Sequence, residues 1–323
     1  MKKKTLYIFG DIILLTLVFF ISIFLAKYYT LGDQYYYHLL YDGVKDKNLS
    51  EAWIFYKGHI NSKEFIHFLL IWIFSNINVD KDIFIAMSNI VLAFGALKIM
   101  RKLNASTIII AIILLTNFYF YVLYIPAERL KYGFIFLFLS IAYIRYIYLF
   151  GILSVLGHAQ NIIFYSSIIF AKLSVSITKN IKKLFLYGKL QKTFINQIVI
   201  IFILGLIIYF SLHEHLNRKF EGNLSQTHSI IDIFKIFIFY FLAIYYSKER
   251  IFTTLLFIPL IIFTFLLGGQ RIVFLGYFVF LYYALQVKRG LNLGILLTSI
   301  YFFYQTIEFI NKTILYHNGF YHN

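Results

Sequence analysis

The chain alternates between long apolar runs and short polar connections, and this alternation leaves it few possible folds. The first run, from Leu6 to Ala26, is about 20 residues long, which is enough to cross a bilayer. Predominantly apolar stretches recur at 6–28, 64–78, 82–98, 106–125, 130–148, 149–171, 194–212, 231–247, 251–268, 271–287 and 291–311. Hydrophobic residues make up 61% of the chain and charged residues 14%, which is unlike a soluble globular domain. The sequence therefore predicts an integral membrane protein.

The apolar runs are predicted to be helices. Backbone amides in hydrocarbon must find their hydrogen bonds inside each segment, and the two-residue alternation of a membrane barrel is absent. The predicted fold class is all-α and polytopic, with about nine to eleven transmembrane or half-membrane helices. No soluble module and no internal repeat is visible, so residues 1–323 are predicted to form a single membrane domain.

The charge distribution predicts the orientation of the chain. Lysine and arginine number 30 against 14 acidic residues, a net charge of +16. The basic residues cluster between apolar runs, as the positive-inside rule requires of cytoplasmic loops, and this placement argues against nucleic-acid binding. The predicted cytoplasmic stretches are 1–4, the basic loop 172–192, 248–250 and 288–289. The predicted periplasmic stretches are the first loop 29–63, the loop 213–230 and the C-terminus.

The middle of the chain allows two arrangements. If every apolar run crosses, Arg129 is cytoplasmic, whereas the basic residues of 98–102 and Arg145 fall outside, against the positive-inside rule. If 64–78 and 149–171 enter the bilayer without crossing it, those basic residues become cytoplasmic and Arg129 lies outside. We prefer the second arrangement, because both runs contain polar residues that interrupt their apolar character.

Several classes of site are excluded by what the sequence lacks. The chain has no cysteine, so disulfides, zinc–cysteine sites and cysteine nucleophiles are impossible. It has no phosphate-binding glycine loop, dinucleotide fingerprint or acidic metal triad. His213 and His215 lie two residues apart and would point in different directions on a helix. We therefore expect neither a metal nor a cofactor.

Two arginines are candidate anion ligands. Arg129 lies in segment 126–131, where a new apolar run begins, and Arg271 follows Gly268, Gly269 and Gln270 at the start of another. A guanidinium group binds a diphosphate through paired hydrogen bonds, and the amides at a helix N-terminus add to that attraction. The alternatives are that Arg129 is an interfacial arginine that snorkels or pairs only with Glu128, and that Arg271 is solvated in a tight turn.

His158 interrupts a long apolar run within the polar segment 157–161. A neutral imidazole could take a proton from a sugar hydroxyl near neutral pH, so His158 is a candidate general base. The alternative is a histidine whose hydrogen bonds serve only to hold helices together.

Carboxylates next to tyrosines favour sugar binding, because acids pair with hydroxyls and aromatic rings cover the apolar faces of sugars. Asp33 and Tyr36 in the first loop fit this pattern, although the tyrosines could also form an interfacial belt. Glu64 and His67 share a helix face and could line the same cavity or lie at the water interface. We predict substrate contacts for Asp33, Tyr36, Glu64 and Glu128.

The residue pattern resembles the EpsG-like group of Wzy-type bacterial polysaccharide polymerases. The features that carry the resemblance are, in chain order, Gly32-Asp33 followed by tyrosines, Glu64 opening an apolar run, Arg129 heading a helix, His158 before a run containing Ser166-Ser167, a basic loop, and Arg271 heading a late helix. They extend over most of the chain.

The resemblance implies a metal-independent membrane glycosyltransferase with a GT-C-like architecture in the bacterial inner membrane. Its substrate would be an undecaprenyl-diphosphate-linked oligosaccharide repeat, polymerised on the periplasmic side into O-antigen, capsule or exopolysaccharide. A flippase and a chain-length regulator would be its partners. His158 and Arg129 would be catalytic, and Arg271 would help bind the diphosphate. A transporter or flippase of lipid-linked glycans, an O-antigen ligase-like enzyme and a membrane acyltransferase remain alternatives.

Overall fold

The structure, a computed structural model, describes residues 2–61, 64–187, 195–199, 202–203, 205–206, 229–267 and 270–321. These residues form helices and no strand, which confirms the all-α prediction. The longer helices are α1 (Lys2–Tyr28), α2 (Asp33–Gly43), α3 (Leu49–Ile60), α4 (Phe65–Asn76), α5 (Lys81–Lys102), α6 (Thr107–Thr116), α7 (Phe118–Tyr124), α8 (Glu128–Ala142), α9 (Ile147–Gly157), α10 (Asn161–Tyr187), α11 (Ser229–Tyr246), α12 (Arg250–Leu267), α13 (Gln270–Ala284) and α14 (Leu293–Tyr316).

The helices are compatible with a polytopic membrane protein. In the described part of the chain, 4 helices are long and apolar enough to cross a membrane, or up to 6 if each of two bent pairs counts as one span. Shorter apolar helices, among them α4, account for part of the difference from the predicted nine to eleven. With 12 residues, α4 is about 18 Å long, well short of a hydrocarbon core of about 30 Å.

The chain packs as two compact units. The first contains Met1–Ala159 and Lys288–Asn323, and the second contains Gln160–Val287. The predicted single membrane domain stays a prediction.

One end of the first unit collects basic residues, and we call it the basic end. Arg101 at the end of α5 pairs with Asp11 of α1, with Nη2 2.5 Å from Oδ1. Lys102 donates a hydrogen bond to the carbonyl of Ala142 at the end of α8. The carbonyl of Arg289, just before α14, accepts a hydrogen bond of 2.9 Å from the backbone at the start of α6. Basic residues that the preferred arrangement placed on one side of the membrane therefore lie together.

The opposite end of the same unit, which we call the polar end, holds the first loop and the C-terminal residues. The backbone amide of Leu31 donates to the carbonyl of His317 at 3.0 Å, which ties the end of α1 to the end of α14. The predicted first loop 29–63 is largely helical, since it contains α2 and α3. The amide of Asp46, in the turn after α2, donates a hydrogen bond to the side chain of Asn76 at the end of α4. The end of α4 therefore also lies at the polar end.

α8 and α9 form a bent helical pair whose two outer ends come together. The 3₁₀ turn Ile144–Tyr146 separates them, and the chain direction changes by 120°. Ser154 on α9 donates to the carbonyl of Gly133 on α8 at 2.9 Å. A Cβ on Gly157 would lie only 3.0 Å from the backbone nitrogen of Gly133, so glycine permits this close approach. The pair thereby returns the chain to the level at which α8 began.

The predicted break in run 149–171 is confirmed, because α9 ends at Gly157 and α10 begins at Asn161. The predicted basic loop 172–192 is helical as far as Tyr187, since α10 continues without interruption to that residue. Lys172, Lys179, Lys182 and Lys183 therefore follow an apolar segment on one continuous helix. The predicted periplasmic loop 213–230 lies outside the described residues apart from its last two.

The second unit packs α10 against α12 and α11 against α13. The rings of Phe239 on α11 and Tyr277 on α13 have centroids 5.3 Å apart. A Cβ on Gly276 would meet Ile236 at 2.2 Å, so the absence of a side chain lets these two helices pack closely. This unit carries Arg271, in the first turn of α13.

Candidate functional site

The candidate site is built around the first turn of α8. Successive residues on a helix diverge by about 100°, so Glu128 and Arg129 project in different directions. They join two separate clusters of charge at the polar end of the first unit. The closed cluster consists of Glu128, Lys81, His67 and Gln34. The open cluster consists of Glu64, His158, Arg129 and Tyr37.

The closed cluster surrounds the fully buried carboxylate of Glu128. Lys81 donates to its Oε1 at 2.6 Å, and Nε2 of His67 lies 3.3 Å from the same oxygen. Gln34 donates to Oε2 at 3.2 Å and also to the carbonyl of Ile125 at 2.6 Å. A buried charge needs this many partners, because removal from water costs several kcal/mol per ion.

A second buried lysine lies one turn further along α8. Nζ of Lys131 is 3.1 Å from the carbonyl of Tyr124 and 3.4 Å from the hydroxyl of Ser88. Its side chain is fully buried, as is that of Glu128. The polar interior of this unit is thus held by ionisable groups from α4, α5 and α8, and protein atoms provide their partners.

The open cluster links three residues that are far apart in the sequence. Oε1 of Glu64 pairs with Nδ1 of His158, and Oε2 lies 3.4 Å from Nη1 of Arg129. Nε of Arg129 donates to the hydroxyl of Tyr37 at 3.1 Å. The exposed side-chain fraction rises from 6% in His158 to 13% in Glu64 and 27% in Arg129. Arg129 is therefore the member that an anion from outside can reach most easily.

Tyr56 connects the two clusters. Its hydroxyl lies 2.8 Å from Nδ1 of His67 and 3.3 Å from the carbonyl oxygen of Glu64. Tyr56 is fully buried on α3. Through these two contacts Tyr56 links the backbone of Glu64 to His67 of the closed cluster.

The electrostatics of the open cluster favour a charged carboxylate. Glu64 precedes α4 and lies outside the candidate spans. Burial alone would raise its pKa, but the hydrogen bond with His158 and the charges of His158 and Arg129 outweigh burial and hold the pKa at about 2. Burial raises the pKa of Tyr37, despite the opposing influence of Arg129, so its hydroxyl is neutral and can accept the Arg129 hydrogen bond.

Three of the predicted site residues, Arg129, His158 and Glu64, come together in this structure. Glu128 is buried and bonded to Lys81 and Gln34, and its predicted contact with substrate stays a prediction. Asp33 is exposed at the start of α2. Tyr36 on the same helix is 55% exposed.

The remaining predicted residue, Arg271, is exposed at the start of α13 in the second unit. Its shared role with Arg129 stays a prediction. The glycines before it are outside the described residues.

The sequence reasoning missed Lys81, Gln34, Tyr37 and Tyr56. Lys81 has Asp80 and Asp82 as neighbours in the chain, and this local pattern is typical of a solvated helix start. Nothing in the sequence indicates that Lys81 turns inward to Glu128, 47 residues away. For Tyr37 a signal existed, since the first loop carries three consecutive tyrosines, and a helix must turn at least one of them inward.

In the part of the chain that the structure describes, no group of three or more histidines and carboxylates has the geometry to hold a metal ion. His213 and His215 lie outside that part. The open cluster itself offers one carboxylate, one imidazole and a guanidinium, and the positive arginine would repel a cation.

Comparisons with known proteins identify no relative: no family model matches the chain, and neither a curated protein nor a solved structure matches it. The resemblance to the polysaccharide polymerases therefore rests on the residues quoted for it.

Proposed function

We propose that the protein polymerises lipid-linked oligosaccharide repeat units at the outer face of the bacterial inner membrane. The growing glycan is transferred from undecaprenyl diphosphate to a hydroxyl of the incoming lipid-linked repeat. The observation that carries this proposal is the open cluster, in which an accessible arginine and a histidine are joined by one carboxylate. Such a set combines an anion ligand with a proton acceptor, the two groups that this transfer requires.

Arg129 binds the diphosphate of the donor. Its guanidinium carries a permanent charge and presents paired donors that match phosphate oxygens. Of its groups, Nε is held by Tyr37 and Nη1 faces Glu64, which fixes the plane of the guanidinium before a ligand arrives. Arg271 belongs to the second unit, and its predicted role in binding the diphosphate stays a prediction.

His158 takes the proton of the acceptor hydroxyl. The hydroxyl oxygen forms a bond to the anomeric carbon of the donor sugar as its proton passes to the imidazole. The bond between that carbon and the diphosphate oxygen breaks, and its electron pair leaves with undecaprenyl diphosphate. Arg129 neutralises the charge that develops on the leaving group, so the step needs no metal ion or other cofactor.

The two ends of the first unit support the proposed orientation. The basic end carries Arg101, Lys102 and Arg289, and the positive-inside rule assigns such an end to the cytoplasm. The open cluster lies at the other end, on the periplasmic side, where lipid-linked repeats are available after a flippase has moved them. A chain-length regulator is the second partner under this proposal. A GT-C-like architecture with about nine to eleven transmembrane or half-membrane helices is part of the same proposal.

The orientation is tested with single cysteines, since the chain has none of its own. Ser50→Cys lies on α3 at the polar end, and Lys288→Cys lies at the basic end; both positions are exposed. A membrane-impermeant maleimide should label Ser50→Cys in intact spheroplasts and label Lys288→Cys only after lysis. The reverse result would invert the proposed topology.

The activity is tested by supplying purified protein in proteoliposomes with undecaprenyl-diphosphate-linked repeats and separating the products by length. The wild type should extend the repeats, and His158→Ala should be slower by about 10²- to 10⁴-fold. His158→Gln should be as slow, because it keeps an acceptor but cannot hold the proton. His317→Gln, a change in an exposed histidine at the end of α14, is the matched control and should keep full activity.

Two outcomes would contradict the proposal. If the wild type moved lipid-linked repeats across the bilayer without joining them, the protein would be a transporter. If His158→Gln polymerised at the wild-type rate, proton abstraction by His158 would be excluded.

A further inference from the structure

We infer that Glu64 is the positioning carboxylate of His158, and that it acts through the imidazole instead of by binding the substrate. This inference rests on the proposed function for its kinetic consequences. It assigns to Glu64 a role different from the substrate contact that the sequence predicted.

The scaffold around Glu64 fixes its position from several sides. Its carbonyl oxygen begins α4, accepting a hydrogen bond of 3.1 Å from the amide of Phe68, and it also meets the hydroxyl of Tyr56 at 3.3 Å. Tyr56 is in turn held by His67 of the closed cluster. The side chain of Glu64 is 13% exposed and contacts both His158 and Arg129. A carboxylate held in this way can orient another group.

The chemistry of the pair determines where the proton of His158 sits. An ionised carboxylate only accepts hydrogen bonds, so the contact requires a proton on Nδ1. In the neutral ring the lone pair is then on Nε2, and proton transfer with a substrate falls to that nitrogen. When Nε2 takes the acceptor proton, the negative charge of Glu64 stabilises the imidazolium that forms. This is the role of the aspartate in the serine-protease triad.

Direct binding of the donor by Glu64 is unfavourable on electrostatic grounds. Its Oε2 lies 3.4 Å from Nη1 of Arg129, where the diphosphate is proposed to bind, and like charges at such distances repel. A carboxylate retained beside an anion site must have another partner that benefits from its charge. In the open cluster that partner is His158.

The kinetic test separates positioning from binding. Glu64→Gln keeps the size and a hydrogen-bond acceptor but removes the charge, so kcat should fall by about 10²-fold or more while KM for the donor changes by less than about 3-fold. Glu64→Asp should recover part of kcat. Glu51→Gln, an exposed change in the first turn of α3, is the matched control and should match the wild type. A Glu64→Gln variant that raised KM and left kcat intact would overturn the positioning role.

A second measurement does not depend on activity. In protein labelled with ¹⁵N-histidine, the His158 signal is assigned by its loss in His158→Gln. Nδ1 of His158 should carry a proton in the wild type between about pH 6 and 9, as the carboxylate contact requires. In Glu64→Gln, a bare Nδ1 should become detectable. A bare Nδ1 in the wild type would overturn the inference even if polymerisation were observed.

The two tests fail separately. If the wild type does not polymerise but Nδ1 is protonated, the proposed function fails and the positioning geometry stands. If the wild type polymerises and Glu64→Gln polymerises equally fast, the proposed function stands and the inference about Glu64 fails.

Discussion

The closed and open clusters use the same kinds of side chain at the same end of one unit, yet they differ in exposure. In the closed cluster Glu128 and His67 are fully buried, and Lys81 nearly so. In the open cluster Arg129 keeps 27% of its side chain exposed. Glu128 and Arg129 are neighbours in the chain, and their side chains project about 100° apart on one helix. That difference in direction buries Glu128 among its partners and leaves Arg129 able to meet a ligand.

The comparison also teaches how the two clusters depend on each other. A fully buried ion pair adds little net stability over apolar packing, but breaking it by removal of one partner is costly. The closed cluster therefore fixes α4, α5 and α8 in one arrangement. Tyr56 passes that constraint to the backbone of Glu64. The open cluster can remain partly exposed because the closed cluster fixes the helices and the backbone that carry it.

The largest expected effect concerns the closed cluster. Glu128→Gln leaves the buried charge of Lys81 without its carboxylate, so the free energy of unfolding should fall by about 3–5 kcal/mol. It is measured by reversible unfolding in mixed micelles. Adding Lys81→Met to Glu128→Gln removes the unpaired charge and should restore most of the loss.

The matched control for this change is Glu308→Gln. Glu308 pairs with Lys312 one turn away on α14, at 2.8 Å, and its side chain is 45% exposed. Exposed pairs of this kind contribute about 0.5 kcal/mol or less. Equal losses in Glu128→Gln and Glu308→Gln would show that burial does not distinguish the two carboxylates.

The next effect is the acid sensitivity of the open cluster. Glu64 has a pKa of about 2 in the folded protein, below the 4.5 of an unperturbed group, so its contribution to stability is complete above about pH 4.5. That contribution, about 3 kcal/mol at 1.36 kcal/mol per pKa unit, is lost as the pH falls from about 4.5 to 2. The groups that lower the pKa of Glu64 against the effect of burial are His158, Arg129 and His67.

The measurement compares the wild type with Glu64→Gln across that pH range. The difference in their free energies of unfolding isolates the titration of Glu64 from that of other carboxylates. It should shrink by about 3 kcal/mol between pH 5 and pH 2. A difference that is independent of pH would mean that the carboxylate gains nothing from its charged partners.

A smaller effect is expected at Arg129. Arg129→Lys keeps the charge but loses the planar fork, so kcat/KM for the lipid-linked donor should fall by about 10- to 100-fold, or 1.4–2.7 kcal/mol. Stability should change little, since the side chain is partly exposed. Arg101→Lys at the basic end, where Arg101 pairs with Asp11, is the matched control and should leave kcat/KM unchanged. Full-length polymer from cells carrying Arg129→Lys and Arg271→Lys together would remove the diphosphate role from both arginines.

The all-α class and the positions of most apolar helices could be predicted because both depend on the local sequence. Long apolar runs require helices in a membrane, and segment 157–161 breaks its run because it is polar. The number of spans could not be predicted as well, since apolar character does not show that α8 and α9 double back by 120°.

The candidate site could likewise be predicted only in part. Arg129, His158 and Glu64 could be singled out because a charge or an imidazole beside an apolar run is costly and needs a reason. Their convergence depends on the close contact between Gly157 and Gly133, which brings the end of α9 back to the start of α8. The closed cluster was hidden because Lys81 lies between two aspartates, and the partner that it chooses depends on tertiary packing.

The smallest effect is expected at Tyr36, and it sharpens the comparison between exposed and buried neighbours. Tyr36 and Tyr37 are adjacent on α2, but Tyr36 is 55% exposed whereas Tyr37 is 4% exposed and accepts a hydrogen bond from Arg129. Tyr36→Ala should therefore change the free energy of unfolding by less than about 0.5 kcal/mol. If its ring covers a sugar face, as the sequence predicts, KM for the acceptor should rise by only a few-fold, about 0.5–1 kcal/mol, with kcat unchanged. Tyr37→Phe, which removes one hydroxyl beside Arg129, should instead weaken donor binding and leave the acceptor KM as it is. An acceptor KM that Tyr36→Ala does not move would return Tyr36 to the interfacial belt.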